Sequence, residues 1–263
     1  MDRRKGRVLA ALLAATALSI LCAGLALGER HQQGNLIVAL NGKILPAKLP
    51  RHGLAPATVT ISSELSTADG SPPPRVRRIE LALAGHSTRF GRVGLPACPR
   101  GRLRNATNAQ ALARCGPALV GHGRLRAEIL LPHQAPLRLH AHLLDFNGRP
   151  RGGGLAVWVH AFSAKPPVSF VLPFVLHRGG SAFPTTFTAT IPKSIGAWSH
   201  LTAFRMTLGR RYRRRGSPHS YLNASCPAPR RFTGGFSFIH AAYTFTAGHS
   251  IGETIVRACR VRG

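Results

Sequence analysis

From Leu36 to Val261 the chain alternates apolar and polar residues with period two between turn residues, a pattern that sends successive side chains to opposite faces of a strand. In Ala57–Leu65, Val59, Ile61 and Leu65 share one face, with Thr58, Thr60 and Glu64 opposite. In Val76–Leu83, Ile79, Leu81 and Leu83 face in while Arg78 and Glu80 face out. Leu36–Leu40, Asn41-Gly42 and Lys43–Leu45 read as a type I′ hairpin, because Asn-Gly tolerates positive φ at both turn positions. Further strands are expected at Leu137–Leu144, Leu155–Phe162, Val168–Leu176, Thr185–Ile191, Leu201–Leu208, Ser220–Ser225, Phe236–Thr246 and Thr254–Val261.

Two strands carry irregularities. Val168–Leu176 is apolar on both faces, as in a doubly covered strand, and Pro173 requires a bulge or an edge there. In Phe236–Thr246, Phe236 and Phe238 share one face while Tyr243 and Phe245 share the other, so a β-bulge is expected near His240. One helical stretch breaks the β pattern, near 106–114, with Thr107 or Asn108 as its N-cap. About a dozen short strands with frequent turns point to a β-sandwich or open barrel. The expectation is an all-β chain, a sandwich of immunoglobulin-like or jelly-roll-like type with that one helix. Residues 29–56 form an N-terminal hairpin or linker and 57–262 a single domain, the alternative being two small sandwiches parting near 133–153.

The N-terminus places this domain. MDRRKGR precedes an apolar run over residues 8–27, the layout of a secretory signal. Residues 1–28 are either cleaved before Glu29 or kept as a membrane anchor, since the run is long enough to span a bilayer. Either way the rest of the chain is extracytoplasmic. Setting Cys22 aside leaves Cys98, Cys115, Cys226 and Cys259, which suggest two disulfides in an oxidising compartment. Four cysteines allow three pairings, of which the sequence-local Cys98–Cys115 and Cys226–Cys259 are expected, each contributing about 3 kcal/mol in the chain-entropy account. No Cys-x-x-Cys spacing supports a zinc site.

The formal net charge is +28, with 36 lysines and arginines against 8 acids. That balance attracts polyanions: anionic envelope polymer, anionic lipid, or nucleic acid without sequence preference. The arginine-, alanine-, glycine- and proline-rich composition also follows from GC-rich codon usage, but the electrostatic field is the same whatever its origin. Arg210, Arg211, Tyr212, Arg213, Arg214 and Arg215 are the candidate anion site, a loop of guanidinium groups around one aromatic ring.

Other motifs carry less chemistry. Gly248-His-Ser250-Ile-Gly252 matches a nucleophile elbow, but that turn needs a helix after the serine and a histidine later in the chain. Here a β-branched run follows and no histidine remains, so Ser250 belongs to a hairpin. The acids Glu29, Glu64, Asp69, Glu80, Glu128, Asp145 and Glu253 read as surface partners of arginine, with no two brought together for glycoside hydrolysis. His140 and His142 project from one strand face and are weak metal ligands that would need a third, such as His160. No catalytic residue and no cofactor is expected.

Two segments resemble a group of uncharacterised, secreted, β-rich bacterial proteins. They are "GLPACPRGRLRNATNAQALARCGPALVGHGRLRAEI" and "SYLNASCPAPRRFTGGFSFIHAAYTF", together with "TADGSPPPRVRRIEL". The resemblance spans most of residues 57–260, favours the two local disulfides and a single unit, and implies no activity. The sequence thus points to a non-enzymatic exported protein with a structural or binding role at the envelope. An extracytoplasmic hydrolase or carbohydrate-active enzyme is the alternative.

Overall fold

The computed structural model describes residues 29–84, 88–91, 94–226, 229, 235–258 and 260–261. The expected signal or anchor at residues 1–28 lies outside these, as does Cys259. The strands in chain order are β1 (Glu29–Gln33), β2 (Leu36–Leu45), β3 (Lys48–Leu49), β4 (Ala55–Pro56), β5 (Thr58–Thr67), β6 (Val76–Leu83) and β7 (Thr88–Phe90). They continue as β8 (Leu119–Ile129), β9 (Leu137–Gly148), β10 (Ala156–Ala164), β11 (Pro167–Arg178), β12 (Thr185–Thr190) and β13 (Ser199–Leu208). The last are β14 (Arg211–Arg214), β15 (Ser217–Ser220), β16 (Leu222–Ala224), β17 (Gly235–Phe245), β18 (Ser250–Ala258) and β19 (Arg260–Val261).

Twelve of them form one sheet, in the order β1-β2-β5-β13-β8-β9-β10-β11-β12-β6-β17-β18, with every neighbouring pair antiparallel. Instead of the two facing sheets of a sandwich, this single sheet curls until β18 lies against β1 and β2, nearly closing a barrel. Among the described residues no backbone ladder joins β18 to β1; side chains bridge the seam instead. Glu29 Oε1 accepts from the Val256 N–H at 2.9 Å and from Arg257 Nη1 at 2.6 Å. Arg257 also donates from Nε to the Gly42 carbonyl (2.7 Å) and from Nη2 to Asn41 Oδ1 (2.9 Å). Partial burial pushes the Glu29 carboxyl up, but these donors outweigh it and hold the group below its ordinary range.

The barrel interior is a packed core. Val38 and Leu40 of β2, Val157 and Val159 of β10, Tyr243 and Phe245 of β17, and Ile251 and Ile255 of β18 all belong to one buried cluster. Burying each such side chain contributes about 1.5–3 kcal/mol. Away from β9–β11, outward mid-strand positions such as Arg78, Glu64, Arg124 and Arg205 carry charged side chains. The 133–153 stretch holds β9, which pairs with β8 on one side and β10 on the other.

Asn41-Gly42 does not turn. β2 runs straight through it, pairing Asn41 with Ser62 and Gly42 with Ile61 of β5. Glycine serves there as a close approach: a Cβ on Gly42 would sit 3.0 Å from Ile255 Cδ1. The hairpin turn falls earlier, between β1 and β2, where Gly34 has φ of 59°. The phase slip in β17 is repaired by a register shift between Ser237 and Ile239, two residues short of the expected His240. Phe238 and Ile239 are consequently both buried. Pro173 lies in the part of β11 that pairs only with β10, because β12 joins from Val175 onward. Its missing N–H therefore faces an edge.

A second core caps the outer face of β9–β11. The helix Asn108–Cys115 starts with a capping box in which Thr107 accepts from Gln110 N and Gln110 accepts from Thr107 N. The Cys98–Cys115 disulfide, with Cα atoms 5.5 Å apart, ties that helix to the segment before it. Leu103, Ala106 and Ala111 pack on Phe146, Trp158 and Val171. Trp158 donates its indole N–H to the Cys98 carbonyl at 2.9 Å. Cys226 is buried with Leu49, Ala57 and Ala224 and is disulfide-bonded; its expected partner, Cys259, lies outside the described residues.

Candidate functional site

Below the cap the outer face of the sheet is bare, and there it forms an open trough of ≈ 910 Å³ across β2, β5, β13, β8 and β9. Four inter-strand gaps make it about 19 Å wide. Strand register sets its side chains in two rows. In the first, Asn41 faces Ser62, Ser62 faces Arg205, Arg205 faces Arg124 and Arg124 faces His142. In the second, Ala39 faces Glu64, Glu64 faces Ala203, Ala203 faces Arg126 and Arg126 faces His140. Arg124, Arg126, Arg205, His140 and His142 are all solvent-exposed.

The two rows differ electrically. Arg126 Nη2 donates to Glu64 Oε1 at 2.9 Å, which neutralises the centre of the second row. Among the described residues no salt bridge reaches Arg124 or Arg205. Those two residues are register partners on neighbouring strands, with His142 next to Arg124.

The expected arginine site is differently built. Residues 210–215 are not a loop but mostly a β-hairpin, β14 with β15, closed by Arg215 and Gly216 at φ of 48° and 80°, a type I′ turn. Arg210 is structural: its Nη1 donates to the carbonyls of Gly116 (3.2 Å), Pro117 (2.6 Å) and Leu119 (2.8 Å), fastening the hairpin to the disulfide cap. Tyr212 is half-buried and stacks on His219 with ring centroids 5.6 Å apart, so that ring face is already covered. Burial raises its phenol, while the charges of Arg214 and Arg210 oppose that rise. Arg211, Arg213, Arg214 and Arg215 remain exposed.

His140 and His142 share the outer face of β9, as their spacing implies. His160 does not join them: it faces Leu144 in register, is fully buried beneath the cap, and its Nε2 lies 2.9 Å from the Ala106 carbonyl. Burial pulls its ring below the ordinary histidine range, and the bond to Ala106 only partly offsets that. Among the described residues no group of three His, Cys, Asp or Glu could hold a metal ion.

Three of the seven acids pair with arginine, Glu80 with Arg78, Glu64 with Arg126 and Glu29 with Arg257, while Glu253 pairs with His31 and Asp69 accepts from Ser71. Asp145 departs from the surface expectation. It faces the barrel interior with 0 % exposure, neither oxygen has a hydrogen-bond partner among the described residues, and burial alone pushes its carboxyl up to about 8. Gly121 opposite makes room for it: a Cβ there would lie 2.7 Å from Asp145 Oδ2. Ser250 sits where a hairpin puts it. It opens β18 and donates to Thr244 Oγ1 at 3.1 Å, after a turn in which Gly248 has φ of 88°.

Arg124, Arg126 and Arg205 are the trough residues that reading the sequence alone did not find. The available signal was Arg124-Leu-Arg126, alternating like a strand beside an equally alternating His140-Ala-His142. Compared with known proteins, the chain matches no family model, and neither a curated protein nor a solved structure matches it.

Proposed function

We propose that this chain is an exported, non-enzymatic protein that binds an anionic polymer of the cell envelope in the trough across β2, β5, β13, β8 and β9. The observation that carries the reading is the pair Arg205–Arg124, charged and exposed in the trough, with His142 beside it. Export is supported by the apolar run at residues 8–27 and by the formed Cys98–Cys115 disulfide. Concavity favours a polymer chain over a bilayer, whose flat surface does not enter a trough. Nucleic acid is disfavoured because stacking platforms are exposed aromatics, whereas Phe204, the aromatic lining the trough, is buried in the barrel core.

A hydrolytic reading has less support. Glycoside hydrolysis uses two converging carboxylates. In the trough, Glu64 is engaged by Arg126, and Asp145 points to the other side of the sheet. The test is retention on immobilised heparin, a sulfated glycan. The Arg124→Ala, Arg205→Ala double variant is expected to elute at clearly lower salt, with a shallower salt dependence. Substituting Arg211, Arg213, Arg214 and Arg215 together is expected to shift elution less. Unchanged retention of the double variant would refute the trough as the binding face.

A further inference from the structure

We infer that the trough selects a polymer whose anionic groups are separated by neutral, hydroxyl-bearing units. One oxyanion is held between Arg205 and Arg124, and a neutral unit lies over the Glu64–Arg126 row. The inference rests on the binding role proposed above and narrows the class of ligand. It starts from a local conflict. Like charges directly opposite on neighbouring antiparallel strands destabilise a sheet, yet Arg205 faces Arg124 with no acid among the described residues paired to either. A carboxylate, sulfate or phosphate between the two forks removes the repulsion and takes charge-assisted hydrogen bonds from both, with His142 adjacent on β9.

The neighbouring row lies two residues along each strand, about 7 Å away, and is built for something else. Glu64 cancels the charge of Arg126, and Ala39 and Ala203 leave space on either side of Glu64. An anion arriving there meets the Glu64 carboxylate. A sugar or polyol finds there a carboxylate acceptor, a guanidinium group and an imidazole for its hydroxyls. A polymer charged at every unit therefore cannot fill both rows without placing an anion on Glu64, whereas one charged at alternate units can.

Calorimetric titration of the protein with two probes at one ionic strength tests this: a hyaluronan octasaccharide, charged on alternate sugars, and inorganic polyphosphate of equal total charge. The wild type is expected to bind hyaluronan about tenfold more tightly, and Arg124→Ala or Arg205→Ala to weaken that binding about tenfold, the scale of one charged hydrogen-bond pair. Glu64→Gln is expected to strengthen polyphosphate binding about fivefold while leaving hyaluronan nearly unchanged, reducing the preference to about twofold. Equal binding of both polymers by the wild type, or an equal shift of both in Glu64→Gln, would overturn the spacing inference. If affinity still fell in Arg124→Ala, the polyanion role would survive that result. Absence of binding to either probe would sink both.

Discussion

The outer face of β9 changes character halfway along. Its first part presents Arg138, His140 and His142 to solvent; its second presents Leu144 and Phe146 to a lid of helix and disulfide. β10 shows the covered pattern at the same level, with Trp158 and His160 facing out under the cap. The two regions share one sheet, one register and one interior core, so the difference lies wholly in what the outward positions are made of. Where they are apolar, a segment folds over them and stability is gained. Where they are arginine and histidine, the surface is left open, as the binding role proposed above requires.

Substitutions should therefore separate the regions by size of effect. Phe146→Ala, under the cap, is expected to lose about 3–5 kcal/mol of unfolding free energy in urea titration. His142→Ala, two turns of the pleat away in the trough, is expected to change it by less than ~0.5 kcal/mol. Equal losses would break the division. Replacing Cys98 and Cys115 together by serine is expected to lose about 3 kcal/mol and to expose Trp158 to aqueous quenchers, with polymer binding in the trough retained.

Asp145 sharpens the comparison from inside the barrel. The folded state keeps its proton to about pH 8, whereas the unfolded carboxyl loses it near ~4. Between those limits the folded state holds the extra proton, so stability falls as pH rises through that window. Asp145→Asn is expected to be more stable than wild type by on the order of 1–3 kcal/mol at pH 8 and nearly equal to it at pH 4. A difference independent of pH would contradict the buried, unpaired placement. A small effect of opposite sign is expected from Arg205→Thr. It should raise the stability of the free protein by about 0.2–1 kcal/mol by removing the facing charge, while weakening polymer binding.

How much of this was legible beforehand follows from where the physics is local. The alternation in Ala57–Leu65 and Val76–Leu83 needed nothing beyond their own residues, and the Thr107–Gln110 capping box announced its helix. β8 was missed because Gly121 and Gly123 occupy inward positions where apolar side chains would have completed the alternation. They are glycine for a long-range reason: a Cβ on Gly123 would sit 2.1 Å from the Arg205 carbonyl, and one on Gly121 2.4 Å from that of Thr207. With β8 went Arg124 and Arg126, and so the trough. Asn41-Gly42 misled in the same way, its glycine answering to Ile255 across the barrel rather than to a turn. Closure of the sheet was equally hidden, since it depends on Glu29 meeting Arg257, 228 residues away.

The central claim is that the bare basic face, and not the arginine hairpin, is where an anionic polymer lies. Arginine labelling with phenylglyoxal, mapped by mass spectrometry with and without saturating hyaluronan, tests it directly. Protection of Arg124 and Arg205, with Arg211 and Arg213 still labelled, is the predicted result. Protection confined to Arg211, Arg213, Arg214 and Arg215, with Arg124 and Arg205 labelled as before, would contradict it.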